Sequence, residues 1–147
     1  TPVADAVLGD DAVLFPARAF VRARVLSRAV AGGEPWLEKA RTVAKRLSGI
    51  AKDATPVLHG KDVFTKEDDA TIVDVVGRIA SATGDLTTEA RVREGMSHAE
   101  DVAERLDAIF VRTLVNDPAD ALTPKRLEVL AYGAQAMRKI ADFSRLS

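Results

Sequence analysis

The feature that most constrains the fold of this chain is a seam of small aliphatic residues that repeats with the period of an α-helix. In the segment around residues 36–55 the seam recurs at alternating intervals of three and four positions, as Leu37, Ala40, Ala44, Leu47, Ala51 and Ala54. This spacing places the apolar side chains on one face of a helix, which other elements must cover. Comparable seams recur in four further segments, and no window alternates as a β-strand would. The sequence therefore predicts an all-α protein.

Proline, glycine and capping residues divide the chain into five predicted helices. Pro16 suits the first turn of a helix, and a Gly-Gly pair follows Ala31. Ser97, followed three residues later by a glutamate, has the spacing of a capping box, and Gly95 before it predicts the end of the preceding helix. The predicted helices run over residues 16–31, 34–55, 66–93 and 97–114, and a fifth opens at Thr123-Pro124.

The connections between these helices determine the predicted arrangement. Short connections between successive long helices favour antiparallel neighbours. We therefore expect residues 16–115 to form an antiparallel, up-down four-helix bundle. Residues 1–15 are predicted to be an irregular N-terminal arm, and residues 116–147 a C-terminal extension that carries the fifth helix.

Composition limits the classes of protein to which the chain can belong. Its 147 residues suffice for one ordinary domain, and it has no cysteine for disulfides or thiolate chemistry. The net charge of -1 argues against broad nucleic-acid binding, for which a basic excess is expected. The sequence contains no run of 18 apolar residues, so no membrane-spanning segment is predicted.

Residues that commonly carry chemistry are few and scattered. His59 and His98 have no second histidine or carboxylate at metal-ligand spacing. Asp68 and Asp69 could bind a cation, but their place in the first turn of a helix is also explained by the helix dipole. We therefore predict no metal site, no cofactor and no enzymatic activity, with an enzyme or metal carrier as the least favoured alternative.

Basic residues are concentrated in the first two long helices. Residues 1–61 contain ten Lys or Arg against six Asp or Glu. One interpretation is docking onto an acidic partner; the other is a solvated face that pairs with acidic neighbours in the same bundle. The single tryptophan is either a contact residue or a half-buried structural anchor. The candidate docking residues are Arg18, Arg22, Arg28, Trp36, Lys39, Lys45, Arg46 and Lys52.

The order of these features resembles that of the PsbQ family, the extrinsic subunits on the lumenal face of photosystem II, and of the related diatom and algal subunit. Trp36 stands at the head of a basic helix, as a tryptophan tends to do in that family. The next helix opens with residues 66–69, Lys-Glu-Asp-Asp, and the run from Arg78 to Arg93 is similar to the family's pattern. The resemblance covers about Pro16 to Leu114. The chain lacks the long proline-rich arm of the plant proteins, and residues 115–147 extend beyond the plant bundle.

The resemblance implies a non-enzymatic protein of the chloroplast thylakoid lumen. Such a protein would dock onto the photosystem II core and other extrinsic subunits, peripheral to the membrane. It would stabilise the oxygen-evolving cluster and help to retain calcium and chloride without ligating the metals. The alternative is a helical-bundle interaction module, or a coat-like assembly subunit, of bacterial or viral origin.

Overall fold

The computed structural model describes residues 2–7 and 16–146, and every regular element in these ranges is helical. The prediction of an all-α protein is thereby confirmed. A short helix and five longer ones follow one another as Pro2–Val7 (α1), Pro16–Ala31 (α2), Trp36–Ala51 (α3), Glu67–Ala82 (α4), Glu89–Arg112 (α5) and Thr123–Ile140 (α6). Two 3₁₀ turns, Lys61–Val63 and Phe143–Arg145, lie in the connecting segments. Within the described ranges, every helix is too short or too polar to cross a lipid bilayer.

Local sequence signals explain several of these boundaries. Helix α2 begins at Pro16 as predicted and ends before Gly33, whose φ of 64° lies in the left-handed region that favours glycine. Helix α6 carries a proline in its first turn, where a missing N–H costs no hydrogen bond. These predicted starts and stops are confirmed because the residues that set them act within one turn of the chain.

Four helices enclose the main core, and each packs against two others. Helix α3 contacts α5 and α6 extensively, and α4 contacts the same two helices. The core side chains are mostly valine, leucine, isoleucine and alanine, with Leu106, Ile79 and Leu130 among those fully buried. Helices α3 and α4, although consecutive in sequence, therefore lie diagonally opposite each other.

Pairs of contacting residues fix the direction of each helix. Asp69 pairs with Arg126, and Val76 lies against Gly133, so the sequence offset between α4 and α6 stays constant and the two helices run parallel.

Two contacts likewise fix the relative direction of α3 and α5. Lys39 pairs with Glu104 and Arg46 lies over Phe110, so α3 and α5 are also parallel. Helices α4 and α5 are antiparallel, because Asp68 pairs with Arg112. The contacts therefore do not bear out a simple arrangement in which every neighbour is antiparallel.

The lengths of the connecting segments explain why some neighbouring helices are parallel and not antiparallel. Among the four core helices, only the short segment 83–88 joins two adjacent ones, α4 and α5. Segments 52–66 and 113–122 are long enough to cross one end of the molecule and join helices that lie diagonally opposite each other.

The predicted break at Gly95 is wrong. Helix α4 ends at Ala82 and α5 runs without interruption from Glu89 to Arg112. The N-cap is Thr88, whose hydroxyl oxygen accepts a hydrogen bond from the Arg91 backbone N–H at 3.2 Å. Gly95 instead lies buried inside α5, where an added Cβ would approach the side chains of Leu86 and Ile140 to 3.2 and 3.3 Å. This glycine permits close packing and does not end a helix.

The segment predicted as a C-terminal extension lies in the middle of the packing. Helix α6 contacts both α3 and α4 and is buried around most of its circumference. Helix α2, predicted to belong to the bundle, contacts mainly α1 and α5 and lies at the periphery. The predicted irregular arm at 1–15 is helical at 2–7, and its remaining residues lie outside the described ranges.

Candidate functional site

The two ends of the helical packing differ in chemistry. At one end, segments 83–88 and 141–146 meet the first turns of α2 and the short helix α1. A cleft of about 880 Å³ opens there between these elements. We call it the basic cleft, because its lining includes five cationic and two acidic side chains, namely Arg18, Arg22, Arg138, Lys139 and Arg145, with Asp85 and Asp142.

The last turn of α6 supplies the most accessible cations of the basic cleft. Arg138 and Lys139 are adjacent in sequence, both are exposed, and neither has a carboxylate partner within the described part of the chain. Basic residues are favoured in the last turn of a helix because they face the negative end of its dipole. This preference explains why they are tolerated in the last turn, and their exposure leaves them available to an anion.

The two acidic residues of the basic cleft are already engaged in tight turns. Asp85 accepts hydrogen bonds from the Thr87 hydroxyl at 2.6 Å and the Thr87 backbone N–H at 3.2 Å. These bonds, with smaller contributions from the charges of Arg91 and Arg18, lower the pKa of Asp85. Asp142 accepts from Ser144 and from Arg145, the latter at 3.3 Å. Neither carboxylate pairs with Arg138 or Lys139, which therefore keep their charge unpaired among the described residues of the cleft.

Helix α2 forms the opposite wall of the basic cleft. Arg18 and Arg22 lie one turn apart, and Arg18 is exposed whereas Arg22 is only 6% exposed. An arginine in this position buries its aliphatic stem against apolar surface. Of the eight predicted docking residues, these two are the ones that the structure places in the cleft.

Two further predicted docking residues are paired with carboxylates within the molecule. Arg28 forms a salt bridge with Glu89, which Arg24 and Arg93 also contact. Burial opposes ionisation of Glu89, but the hydrogen bond and charge of Arg28, with the neighbouring arginines, lower its pKa.

Lys39 pairs in the same way with Glu104 at 2.8 Å. For Arg28 and Lys39, pairing with acidic neighbours describes the structure better than a free docking face.

The remaining predicted docking residues lie on or directly after α3, outside the basic cleft. Arg46 lies over the Phe110 ring, with 4.6 Å between the guanidinium carbon and the ring centroid. Lys45 on α3 and Lys52, which directly follows that helix, are exposed and have no acidic partner among the residues described. Neither lysine lines the basic cleft.

Trp36 is an internal anchor. It is 5% exposed, its indole N–H donates to the Glu34 carboxylate at 2.7 Å, and its ring centroid lies 6.0 Å from that of Phe143. The tryptophan therefore fastens the start of α3 to the segment that follows α6.

The opposite end of the molecule holds a buried ionic network around Arg126. Its Nε and Nη2 donate to the two carboxylate oxygens of Asp69 at 2.5 and 2.9 Å. Nη2 also donates to Asp120 at 2.6 Å, and Nη1 donates to the Val115 carbonyl and the Thr123 hydroxyl. Arg126 was missed by sequence reasoning, because its main partner, Asp69, is 57 positions away along the chain.

The same end of the molecule contains Asp68 and Asp69, the acidic pair that the sequence analysis considered as a cation site. Asp68 accepts hydrogen bonds from Arg112 and Thr113, and these lower its pKa. Asp69 faces Arg126 instead. The two carboxylates thus take two different arginines as partners.

His59 forms a contact between a loop and a helix. The His59 Nε2 lies 2.8 Å from a Glu128 carboxylate oxygen and joins segment 52–66 to α6. Across residues 2–7 and 16–146, no three acidic or histidine side chains lie close enough together to hold a metal ion.

Comparisons of the chain with protein-family models, with curated proteins and with solved structures gave no match. The surface chemistry described above is therefore the basis on which a function can be argued.

Proposed function

We propose that the protein is a non-catalytic docking subunit that binds an acidic surface of a larger assembly through its basic cleft. The observation that carries this proposal is the exposed pair Arg138 and Lys139, which has no carboxylate partner in the described part of the chain. Where the fold neutralises a cation it does so with a nearby carboxylate, as for Lys39 and Glu104. An open cleft that retains unneutralised cations attracts anionic partners.

The local character of this charge favours a specific partner over a general polyanion. The whole chain carries a net charge of only -1, so the exposed cations Arg138 and Lys139 are a local feature of one end. A protein surface with an acidic patch of similar size would be attracted to that end and repelled by acidic parts of the rest of the molecule.

The specific form of the proposal is an extrinsic subunit on the lumenal side of photosystem II, supported by the resemblance to the PsbQ family. In that form the protein docks onto the core and other extrinsic subunits in the chloroplast thylakoid lumen, peripheral to the membrane. Its bound state shields the oxygen-evolving cluster and slows the loss of calcium and chloride.

Rebinding to salt-washed photosystem II membranes tests this form. We expect the protein to bind at low ionic strength, to restore oxygen evolution, and to be released by salt, because charges are screened over about 10 Å at 0.1 M. The double variant Arg138→Gln with Lys139→Gln should bind more weakly. Lys125→Gln, an exposed lysine at the other end of α6, is the matched control. Absence of binding at low salt contradicts the photosystem form.

A different surface favours the alternative of an assembly subunit. Val111 and Leu114 are 83% and 65% exposed near the C-terminal end of α5, away from the basic cleft. Neighbouring apolar side chains with this exposure favour contact with another protein. Concentration-dependent assembly in light scattering, without affinity for photosystem membranes, would support that alternative.

A further inference from the structure

We infer that the outer face of α3 and α6 is a docking surface for an anionic lipid bilayer, with an adjacent apolar loop entering the boundary between headgroups and acyl chains. We call this surface the cationic face and define it by Arg41, Lys45, Lys52 and Arg138. This role goes beyond the proposed function, because it concerns the side of the helical packing and a lipid in place of a protein partner.

Three of these cations lie on one stripe of α3. Positions 41, 45 and 52 are separated by four and seven residues, which correspond to one and two turns of an α-helix. Lys52 directly follows the helix and keeps helical backbone angles, with φ -59° and ψ -36°. Ser48 belongs to the same stripe and lines the junction with Arg138 of α6. The stripe therefore runs beside Arg138, and the four charges share one side of the molecule.

Charge on the cationic face has one sign, because carboxylates are absent from the two stretches that build it. Residues 39–52 contain five Lys or Arg and no Asp or Glu, and residues 129–141 contain two basic residues and no acidic one. Within the described part of the chain, none of the four cations forms an ion pair. The nearest acidic residues along α3, Glu38 and Asp53, flank this stretch at its two ends.

The opposite side of the helical packing, formed by α4 and α5, carries paired charges. Arg105 and Arg78 both pair with Asp101, at 2.9 and 3.9 Å, and Arg112 pairs with Asp68 at 2.7 Å. The charges of such pairs largely cancel at a distance. A negatively charged plane therefore attracts the molecule by its cationic face and determines its orientation.

The cationic face offers no groove for a side chain of a protein partner. The cavity between α3 and α6, whose lining includes Ala44, Ser48 and Ala134, measures only about 10 Å³. This is close to the minimum volume that holds a single water molecule. A partner must therefore contact the tips of long side chains across a broad surface. Lysine is depleted in protein–protein interfaces, whereas clusters of Lys and Arg are typical of surfaces that bind anionic lipid headgroups.

An exposed apolar loop at one end of the cationic face favours a bilayer over a soluble polyanion. Val57 and Leu58 follow Lys52 closely in the chain and are 37% and 40% exposed. The Val57 N–H donates to the Glu128 carbonyl at 3.1 Å, and the His59 ring lies 2.8 Å from the Glu128 carboxylate, so α6 holds the loop in place. Binding at a bilayer surface combines charge attraction with burial of apolar side chains at the headgroup boundary. Nucleic acid or an acidic polypeptide would use the charges but offers no apolar layer.

Cosedimentation with vesicles tests the role of the charges. We expect the protein to bind vesicles of phosphatidylcholine and phosphatidylglycerol at low salt, to be released by salt, and not to bind phosphatidylcholine alone. Lys45→Gln with Lys52→Gln should weaken binding by at least about tenfold, because each basic residue near an anionic surface adds to the attraction. Arg78→Gln with Arg105→Gln removes the same charge from the opposite side and should bind nearly as the wild type does. Circular dichroism checks that both variants fold.

A fluorescent label tests the position of the loop. The chain has no cysteine, so a single introduced cysteine can carry a polarity-sensitive dye. With the dye at Leu58→Cys, binding to the anionic vesicles should shift its emission to the blue. With the dye at Ser81→Cys, an exposed position on α4, the emission should not shift. No shift at residue 58, or an equal shift at both positions, would overturn the placement of the loop in the bilayer.

Two other results would overturn the choice of a bilayer. One is a failure to bind the anionic vesicles at low salt, or unchanged binding after Lys45→Gln with Lys52→Gln. The other is binding of polyglutamate or oligothymidylate as tightly as the vesicles at equal anionic charge, which would identify an acidic polypeptide or a nucleic acid as the occupant. Neither result rejects the proposed function, because Lys45 and Lys52 lie outside the lining of the basic cleft.

Discussion

Arg126 shows how a full positive charge can be accommodated in the interior of this protein. The side chain is 1% exposed, yet its guanidinium donates to Asp69, Asp120, the Val115 carbonyl and the Thr123 hydroxyl. The planar fork of arginine suits such multiple, fixed acceptors better than the single ammonium of lysine. A cation with so many partners serves structure, because no donor is left for a substrate.

Replacing Arg126 with methionine is expected to destabilise the fold by about 3–5 kcal/mol, because Asp69 would remain buried without a counter-charge. Urea unfolding measures the loss. Adding Asp69→Leu should recover most of it, since an apolar pair of similar volume can replace a buried ion pair. Arg105→Ala, which breaks an exposed pair with Asp101, should cost less than about 1 kcal/mol. Equal losses at the two sites would contradict the assigned role of Arg126.

Asp120 is expected to make stability depend on pH in the acidic range. Hydrogen bonds from Lys66, Arg126 and the Leu122 N–H hold its pKa far below the usual value of 3.8. A lowered folded-state pKa contributes stability above the unfolded pKa, and this contribution is lost as pH falls. Asp120→Asn should therefore be less stable than the wild type at pH 7, with the difference narrowing below about pH 5.

Urea titrations of the wild type and Asp120→Asn at pH 7, 5, 4 and 3 would measure this difference. Asp53→Asn, at an exposed position, is the control for the substitution itself. A difference that stays constant across this range would show that the pairing does not depress the pKa of Asp120.

At the scale of elements, glycine sets the distance between the parallel helices α4 and α6. A Cβ added at Gly133 would lie 2.8 Å from a methyl carbon of Val76, whereas one added at Gly49 meets nothing within 4 Å. Gly133→Ala is therefore expected to destabilise by about 1–3 kcal/mol through overpacking. Gly49→Ala should stabilise α3 by up to about 1 kcal/mol.

Thermal unfolding of the two glycine variants provides the measurement. Val76→Ala added to Gly133→Ala should relieve the clash and recover part of the loss. If the Gly133→Ala variant were as stable as the Gly49→Ala variant, helices α4 and α6 could not be as close together as the structure shows.

Several elements could be predicted from the sequence because their signals are local. The proline and glycine residues that bound α2, and Pro124 at the start of α6, act on the nearest turn. The break between α4 and α5 was missed because Leu86 and Val92 continue the apolar period through it. In the structure Leu86 is buried within a loop, and the bonds from Thr87 to Asp85 stabilise a turn in place of a helix.

The basic cleft could be predicted only in part. The arginines of α2 drew attention by their number, and Arg18 and Arg22 do line the cleft. Whether a cation is neutralised depends on a distant residue, as Arg28 depends on Glu89, and no local pattern reveals this. Arg138 and Lys139 were missed because their helix was assigned to an extension. The available signal was the near absence of charge between residues 127 and 137, which is typical of a helix buried on several sides.

In the molecule as a whole, α6 is more important for folding than α2, because α6 makes more of the core contacts. Removing residues 1–31 should leave a chain that unfolds cooperatively, because α3 to α6 keep their mutual contacts. Removing residues 116–147 should abolish cooperative unfolding, since Leu130, Met137 and Ile140 would leave the core. Circular dichroism and Trp36 fluorescence follow both truncations. Cooperative unfolding of the 1–115 fragment would contradict this ranking.

The central position of α6 has a consequence for synthesis in the cell. A ribosome adds about 5–20 residues per second, and domains commonly fold as they emerge. Here helix α6, which covers α3 and α4, is translated after both of them, so the nascent chain carries an uncovered apolar groove until α6 has been synthesised. Chaperones therefore have a defined interval, between emergence of α5 and arrival of α6, in which to hold this chain.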